Sequence, residues 1–296
     1  MQPGDLPVEG VQVEHRWVDA RGLRTHVALA GPEDGDPVVL VHGWPQHWWL
    51  WRGVIPPLVA AGYRCICPDL RGHGWTEAPR DGYEKEQFAS DVLAALDVLG
   101  VERFRLVGHD WGGFAAFLIA LREPERVERL LALSIVHPWI RREGGPLQMV
   151  RALLGASYQF VLASPVVGRQ LVQRTPLIRT VLGRGSAGFE WPDGARAAYA
   201  DRWREPARAA ATTAIYRAFL LRELPAILGG RYREVRLTVP TVLVYGEGDP
   251  AISSERQKGW EGHADDMRVG AIEGGHFLPD EQPGLVAEQA LALFGR

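Results

Sequence analysis

The stretch Phe104–Gly113, FRLVGHDWGG, decides the fold. An apolar run reads as a buried strand up to Gly108, and Gly-His-Asp-Trp-Gly follows without a spacer. A strand that turns through one strained residue straight into a helix needs small residues around it, and Gly108 and Gly112 flank Asp110 in this way. This is the pattern of a nucleophile elbow. The strain aims the Asp110 side chain into a cleft, while a helix beginning near Trp111 offers backbone N–H groups to developing negative charge. An aspartate before a helix is also a common N-cap; the two glycines and the preceding strand favour the elbow.

The residue at the elbow constrains the chemistry. Serine needs a base and suits carbonyl carbon. Aspartate, with an ordinary pKa of about 3.9, is ionised at neutral pH and can displace a leaving group from saturated carbon unaided. The product is an ester, which water can cleave at its carbonyl, whereas a serine ether would persist. Asp110 therefore points to hydrolysis at an alkyl carbon.

Working outward, Val11–Ala20 and Leu23–Ala30 read as an opening hairpin around Arg21-Gly22, at a sheet edge. Pro37–Val41 is an apolar run suited to a strand buried on both faces, and His42-Gly43-Trp44-Pro45 follows it. Trp48–Ala60 reads as a helix, Arg64–Pro68 as a strand, Asp69–Pro79 as a Gly-rich loop and Glu84–Leu99 as an amphipathic helix. After the elbow come a helix over Trp111–Leu121 and a strand over Val127–Val136. This alternation predicts an α/β fold with a mostly parallel sheet, binding ligands beyond the carboxyl ends of its strands.

The rhythm stops at His137. Up to about Gly229 no buried strand is evident, and Met149–Leu162, Ala195–Trp203 and Ala207–Leu221 read as helical. We expect a helical cap over residues 137–229 inserted between two parts of one core, 1–136 and 230–296. Strands return at Pro240–Gly246 and Met267–Glu273, and Leu285–Phe294 closes the chain as a helix. Polar residues that follow strands then occur in the order Asp110, Asp249, His276, which is the nucleophile, acid and histidine order of an α/β-hydrolase. His276 is the candidate general base and Asp249 the group that orients it, with Glu247 in reserve. The segment Ser134–Trp139, SIVHPW, holds no acid that could replace them.

Composition narrows the class. A net charge of −3 leaves no basic footprint for nucleic acid and no polybasic membrane patch, so small-molecule chemistry remains. Cys65 and Cys67 sit two apart on one strand face, where bridging is difficult, and they lack zinc-site spacing. With no basic and apolar leader in MQPGDLPVEG, we expect a reduced, cytoplasmic enzyme. Lysine occurs only at Lys85 and Lys258, and we attach no function to that.

With HGWP at His42–Pro45, Trp51-Arg52, GHDWGG at Gly108–Gly113, the Asp249 loop and GGHFLPDEQP at Gly274–Pro283, the chain resembles an epoxide hydrolase of the α/β-hydrolase superfamily over nearly its whole length. The resemblance implies an inserted cap, no cofactor and no metal. It also implies an epoxide and water as the only reaction partners, with room for a homodimer. It assigns the oxyanion hole to the backbone N–H groups of Trp44 and Trp111, a cis peptide to Trp44-Pro45, and support of that loop to His42. It further implies two cap tyrosines that grip the epoxide oxygen, for which Tyr158 and Tyr216 are the candidates and Tyr199 the reserve. Haloalkane and haloacid dehalogenases use the same Asp nucleophile; the haloalkane enzymes follow it with Trp but add a second halide donor, an alternative that Trp139, Trp191 and Trp203 leave open, whereas fluoroacetate dehalogenases follow it with Arg and this chain has Trp111. Trp48, Trp49 and Trp51 read as packing or pocket wall. A catalytically idle ligand receptor or scaffold of this fold is the alternative from another class.

Overall fold

The computed structural model describes residues 1–140 and 157–295. Eight strands form one sheet: β1 (Val13–Ala20), β2 (Leu23–Ala30), β3 (Asp36–Val41), β4 (Tyr63–Pro68), β5 (Phe104–His109), β6 (Val127–Leu133), β7 (Thr241–Gly246) and β8 (Met267–Ile272). Their order is β1-β2-β4-β3-β5-β6-β7-β8. β2 runs antiparallel to both neighbours, and every pairing from β4 to β8 is parallel. The hairpin sits at the edge as expected. Arg21 at φ 53° and Gly22 at φ 77° make the left-handed pair that a two-residue hairpin turn requires.

The central strands are continuous apolar runs because both faces are covered. Val38 to Val41, Leu106 and Leu130 to Leu133 are fully buried. Helices α1 (Ile55–Ala60), α2 (Lys85–Val98) and α3 (Trp111–Arg122) cover the sheet together with the closing helix Pro283–Phe294. Trp48 and Trp51 are wholly buried with Val38, Leu40 and Leu278, so they pack the core; Trp49 is half-buried under the Arg52 guanidinium.

Up to β6, two elements depart from the sequence reading. The helix expected over Trp48–Ala60 is a 3₁₀ turn at Trp48–Trp51 followed by α1. Pro56 and Pro57 have no N–H to continue a ladder from residues 52 and 53. β6 ends at Leu133 rather than Val136, because Ser134 turns to φ 49°.

Between β6 and β7 the described residues form helices and no named strand. The helix expected over Met149–Leu162 is described only from Ser157, as the helix Ser157–Leu162; residues 149–156 lie outside the described residues. Ala195–Ala200 continues into a 3₁₀ turn at Asp201–Arg204. Pro206–Ala218 continues into a π turn at Phe219–Glu223. Val167–Arg174 and Leu177–Gly185 are further helices that the sequence reading does not assign. No helix among the described residues is long and apolar enough to cross a membrane.

Candidate active site

Parallel pairing brings the loops after β3, β5, β7 and β8 to one edge of the sheet. Val41 pairs with Gly108, and Gly246 with Ile272, so His42–Pro45, Asp110, Asp249 and His276 all emerge at carboxyl ends of strands. The turn after β5 is strained at Asp110, with φ 51° and ψ −127°. It closes because its neighbours lack side chains. A Cβ on Gly108 would lie 2.6 Å from Gly112 O, and one on Gly112 would lie 2.1 Å from His42 O. Gly43 is as constrained, since its Cβ would meet Asp110 Oδ1 at 2.4 Å.

The elbow aims the Asp110 carboxylate at two groups. Oδ1 accepts the Trp44 N–H at 2.8 Å, and Oδ2 lies 3.5 Å from His276 Nε2. The other ring nitrogen of His276 donates to Asp249 Oδ2 at 2.8 Å. Asp249 Oδ1 accepts the N–H groups of Ala251 and Ile252 at 2.7 and 3.1 Å, so the acid is fixed before it meets the histidine. Burial opposes charge on His276, but the carboxylates of Asp249 and Asp110 outweigh it and raise its pKa to about 10. Burial likewise opposes ionisation of Asp249, and the charge and hydrogen bond of His276 bring its pKa below the ordinary carboxylate value. Glu247 is exposed.

The HGWP loop is held from beneath. Trp44-Pro45 is a cis peptide. His42, fully buried, donates from Nδ1 to Gly43 O at 3.0 Å and accepts the Leu70 N–H at Nε2, which requires the neutral ring that burial enforces. Asp69 braces the adjoining turns by accepting the N–H groups of Trp48 at 2.8 Å and Trp75 at 2.9 Å. It also takes a 2.7 Å contact from His26 Nδ1.

The two candidate tyrosines stand against each other, near enough to Asp110 for its charge to act on both hydroxyls. Tyr216 is 2% exposed, and its ring stands edge-on to Trp44 at 5.3 Å and to Tyr158 at 6.2 Å. Tyr158 as a whole is 43% exposed, yet desolvation of its hydroxyl raises its pKa. The pKa of Tyr216 is pushed well above the ordinary phenol value, by burial first and then by the charges of Tyr158 and Asp110, with the Trp111 side chain hydrogen-bonding against the shift. Both phenols therefore stay protonated across the neutral range. Tyr199 does not join them: its hydroxyl contacts Asp280 at 3.2 Å and receives Arg52 at 3.0 Å.

The indole N–H groups of four tryptophans are engaged elsewhere. Trp44 Nε1 donates to Thr212 Oγ1 at 3.1 Å, Trp139 Nε1 to Tyr232 O at 2.9 Å, Trp191 Nε1 to Ser186 Oγ at 2.7 Å and Trp203 Nε1 to Pro45 O at 2.6 Å. The sequence reading missed two groups beside the site. Lys85, 1% exposed, donates from its backbone N–H and from Nζ to Glu223 at 2.7 Å each, with Nζ 4.3 Å from the Trp111 ring centroid. Its rarity in an arginine-rich chain was the available signal. The other is Glu281, five residues after His276 in GGHFLPDEQP.

Known proteins resemble this chain over nearly its whole length. A family model described as alpha/beta hydrolase fold matches residues 36–283. The soluble epoxide hydrolase of Corynebacterium sp. (strain C12) is 31% identical over 290 residues, covering 96% of this chain and 98% of that one. Epoxide hydrolase A of Mycobacterium tuberculosis is 30% identical and covers 93% and 95%. Among solved structures, the epoxide hydrolase CorEH without ligand superposes with a TM-score of 0.84 at 29% identity, covering 96% and 99%. Family model, full-length relatives and the arrangement at the strand ends agree that this chain belongs to the α/β-hydrolase fold family, in the branch that contains these epoxide hydrolases.

Proposed function

We propose that this enzyme adds water to an epoxide to give a vicinal diol through an alkyl ester of Asp110. The reading rests above all on one apposition: an elbow carboxylate faces a histidine held by a second carboxylate, with two mutually packed phenols near enough to feel its charge. In the first step Asp110 attacks a ring carbon and the C–O bond breaks. Tyr158 and Tyr216 donate to the departing oxygen, and one of them gives it a proton. The tyrosinate recovers a proton from the His276 imidazolium, which no longer faces an ionised Asp110. Neutral His276, oriented by Asp249, then takes a proton from water as the hydroxide adds to the ester carbonyl. The Trp44 and Trp111 N–H groups stabilise the resulting oxyanion. Collapse breaks the bond to the diol oxygen, which takes the proton of the newly added hydroxyl, leaving Asp110 ionised and His276 charged for the next cycle. Residues 137–229 act as the cap, and the reaction runs in the cytoplasm with no cofactor.

The same nucleophile would serve halide displacement, but that chemistry needs N–H donors aimed at the halide. Trp44, Trp139, Trp191 and Trp203 all give their indole N–H groups to other acceptors. A departing halide also has no use for two protonated phenols. The test is one turnover in heavy-oxygen water with enzyme in excess. Label should enter Asp110 and be absent from that turnover's diol; label found directly in the diol would make Asp110 a base for water and remove the ester from the mechanism.

A further inference from the structure

The backbone around His276 is held at several points, and one carboxylate holds two of them. Glu281, 8% exposed at the end of the short helix Leu278–Glu281, folds back over the loop. Its Oε1 accepts the Phe277 N–H at 2.7 Å and its Oε2 accepts the Gly275 N–H. The His276 N–H itself donates to Gly185 O at 2.7 Å. The His276 carbonyl accepts from His109 Nε2 at 2.7 Å. His109 is fully buried and its pKa is lowered to about 4 by that burial, so its ring is neutral and donates from Nε2. It is also the residue immediately before Asp110.

The peptide joining His276 to Phe277 is thus gripped at both ends, by Glu281 at its N–H and by His109 at its C=O. The preceding peptides are tied to Gly185 and, through Gly274 O, to the Gly248 N–H at 2.8 Å. Gly275 adds a steric limit, since a Cβ there would approach Gly185 O to 2.3 Å. Resting on the mechanism given above, we propose that Glu281 is a positioning residue for the base, setting the His276 ring against Asp249 and Asp110, and that His109 completes the clamp from the nucleophile's own strand. Water could satisfy the two N–H groups equally well if satisfaction were all they required; a single buried carboxylate spanning both also fixes the backbone angles that carry the ring.

This assignment separates the half-reactions. Asp110 attacks without a base, so a displaced His276 ring should leave alkylation near the parent rate. Hydrolysis of the ester should slow by about 100-fold, the scale of a misplaced catalytic group. Glu281→Gln tests this, because it retains size but turns an amide NH₂ toward one of the N–H donors. Alkylation and ester decay are followed by rapid quench and intact-protein mass spectrometry. In the substrate-free protein, the downfield Nδ1 proton of His276 reports its hydrogen bond to Asp249, and it should broaden or move upfield. Ester decay at the parent rate in a folded variant would overturn the proposal, as would equal loss of both steps with the Nδ1 proton unchanged. Should Glu281→Gln not fold, His109→Phe, which strips the donor from the His276 carbonyl, is followed by the same two measurements: slowed ester decay with a shifted Nδ1 proton supports the clamp, and parent-rate decay overturns it. If the parent protein forms no ester at all, the proposed reaction fails, while the Nδ1 proton still decides whether the clamp exists.

Discussion

His276 Nε2 lies 3.5 Å from Asp110 Oδ2. With Asp249 on its other nitrogen, the ring is an imidazolium between two carboxylates at rest, its pKa raised to about 10 against the pull of burial. Esterification of Asp110 would cancel one of those charges, so the nucleophile's own reaction would release the base for the second step.

The charge relationship is open to direct titration. Asp110→Asn should lower the His276 pKa from about 10, read by ¹⁵N resonances of the ring. The sign for stability follows from a folded pKa above the ordinary 6.5. The contribution is fully present below about 6.5 and is lost as pH rises through the folded value. In Asp110→Asn that loss should therefore occur at lower pH in denaturation curves. An unchanged titration would mean that Asp249 alone sets the proton affinity.

Removing the base should strand the intermediate. His276→Gln retains Asp110 and the tyrosines, so under saturating epoxide the protein should gain the mass of one substrate and then stop. Unmodified protein with native circular dichroism would count against Asp110 as nucleophile.

The tyrosine pair should act on ring opening alone. Loss of one charge-stabilising donor costs about 2.7–4 kcal/mol when nothing compensates. Tyr158→Phe and Tyr216→Phe should each slow pre-steady-state alkylation, and the double variant should nearly abolish it. Hydrolysis of ester already formed should change much less. Alkylation at the parent rate in the double variant, with halide released from a haloalkane by the parent protein, would favour dehalogenation instead.

Lys85 and Glu223 form a buried pair between α2 and the π turn, so truncating one partner leaves a charge without compensation. Lys85→Met should cost about 3–5 kcal/mol in urea denaturation. Lys85→Met with Glu223→Leu should recover most of the loss, because two apolar side chains strand no charge. Equal destabilisation in the single and double variants would show that packing against Trp111 and Phe219, rather than the ion pair, sets the cost.

The α/β fold was legible in the chain because its signals are local. Gly22, free to adopt a positive φ, marks the turn between two β-prone runs, and the runs at Val38–Val41 and Leu130–Leu133 are apolar at every position because both faces are covered. Helix breaks were harder to read. Trp48–Ala60 has helical periodicity, and the interruption comes from missing N–H groups at Pro56 and Pro57, which periodicity does not register. Two helices between β6 and β7 escaped notice because they are only eight and nine residues long, too short to stand alone, and are held by tertiary packing.

For the candidate site, the sequence by itself determined which residue types follow which strands. Asp110 between two glycines, Asp249 after β7 and His276 after β8 are properties of chain order, and parallel pairing brings such positions to one edge. Only the tertiary structure decided which long-range partners the remaining polar groups would take. Nothing local says that Tyr199 gives its hydroxyl to Asp280, that the Trp44 indole turns to Thr212, or that Glu281 reaches back to both peptides beside His276. Those choices follow from burial: a polar group removed from water is costly without an acceptor or donor within about 3 Å, and which one lies within reach is set by packing between segments far apart in sequence.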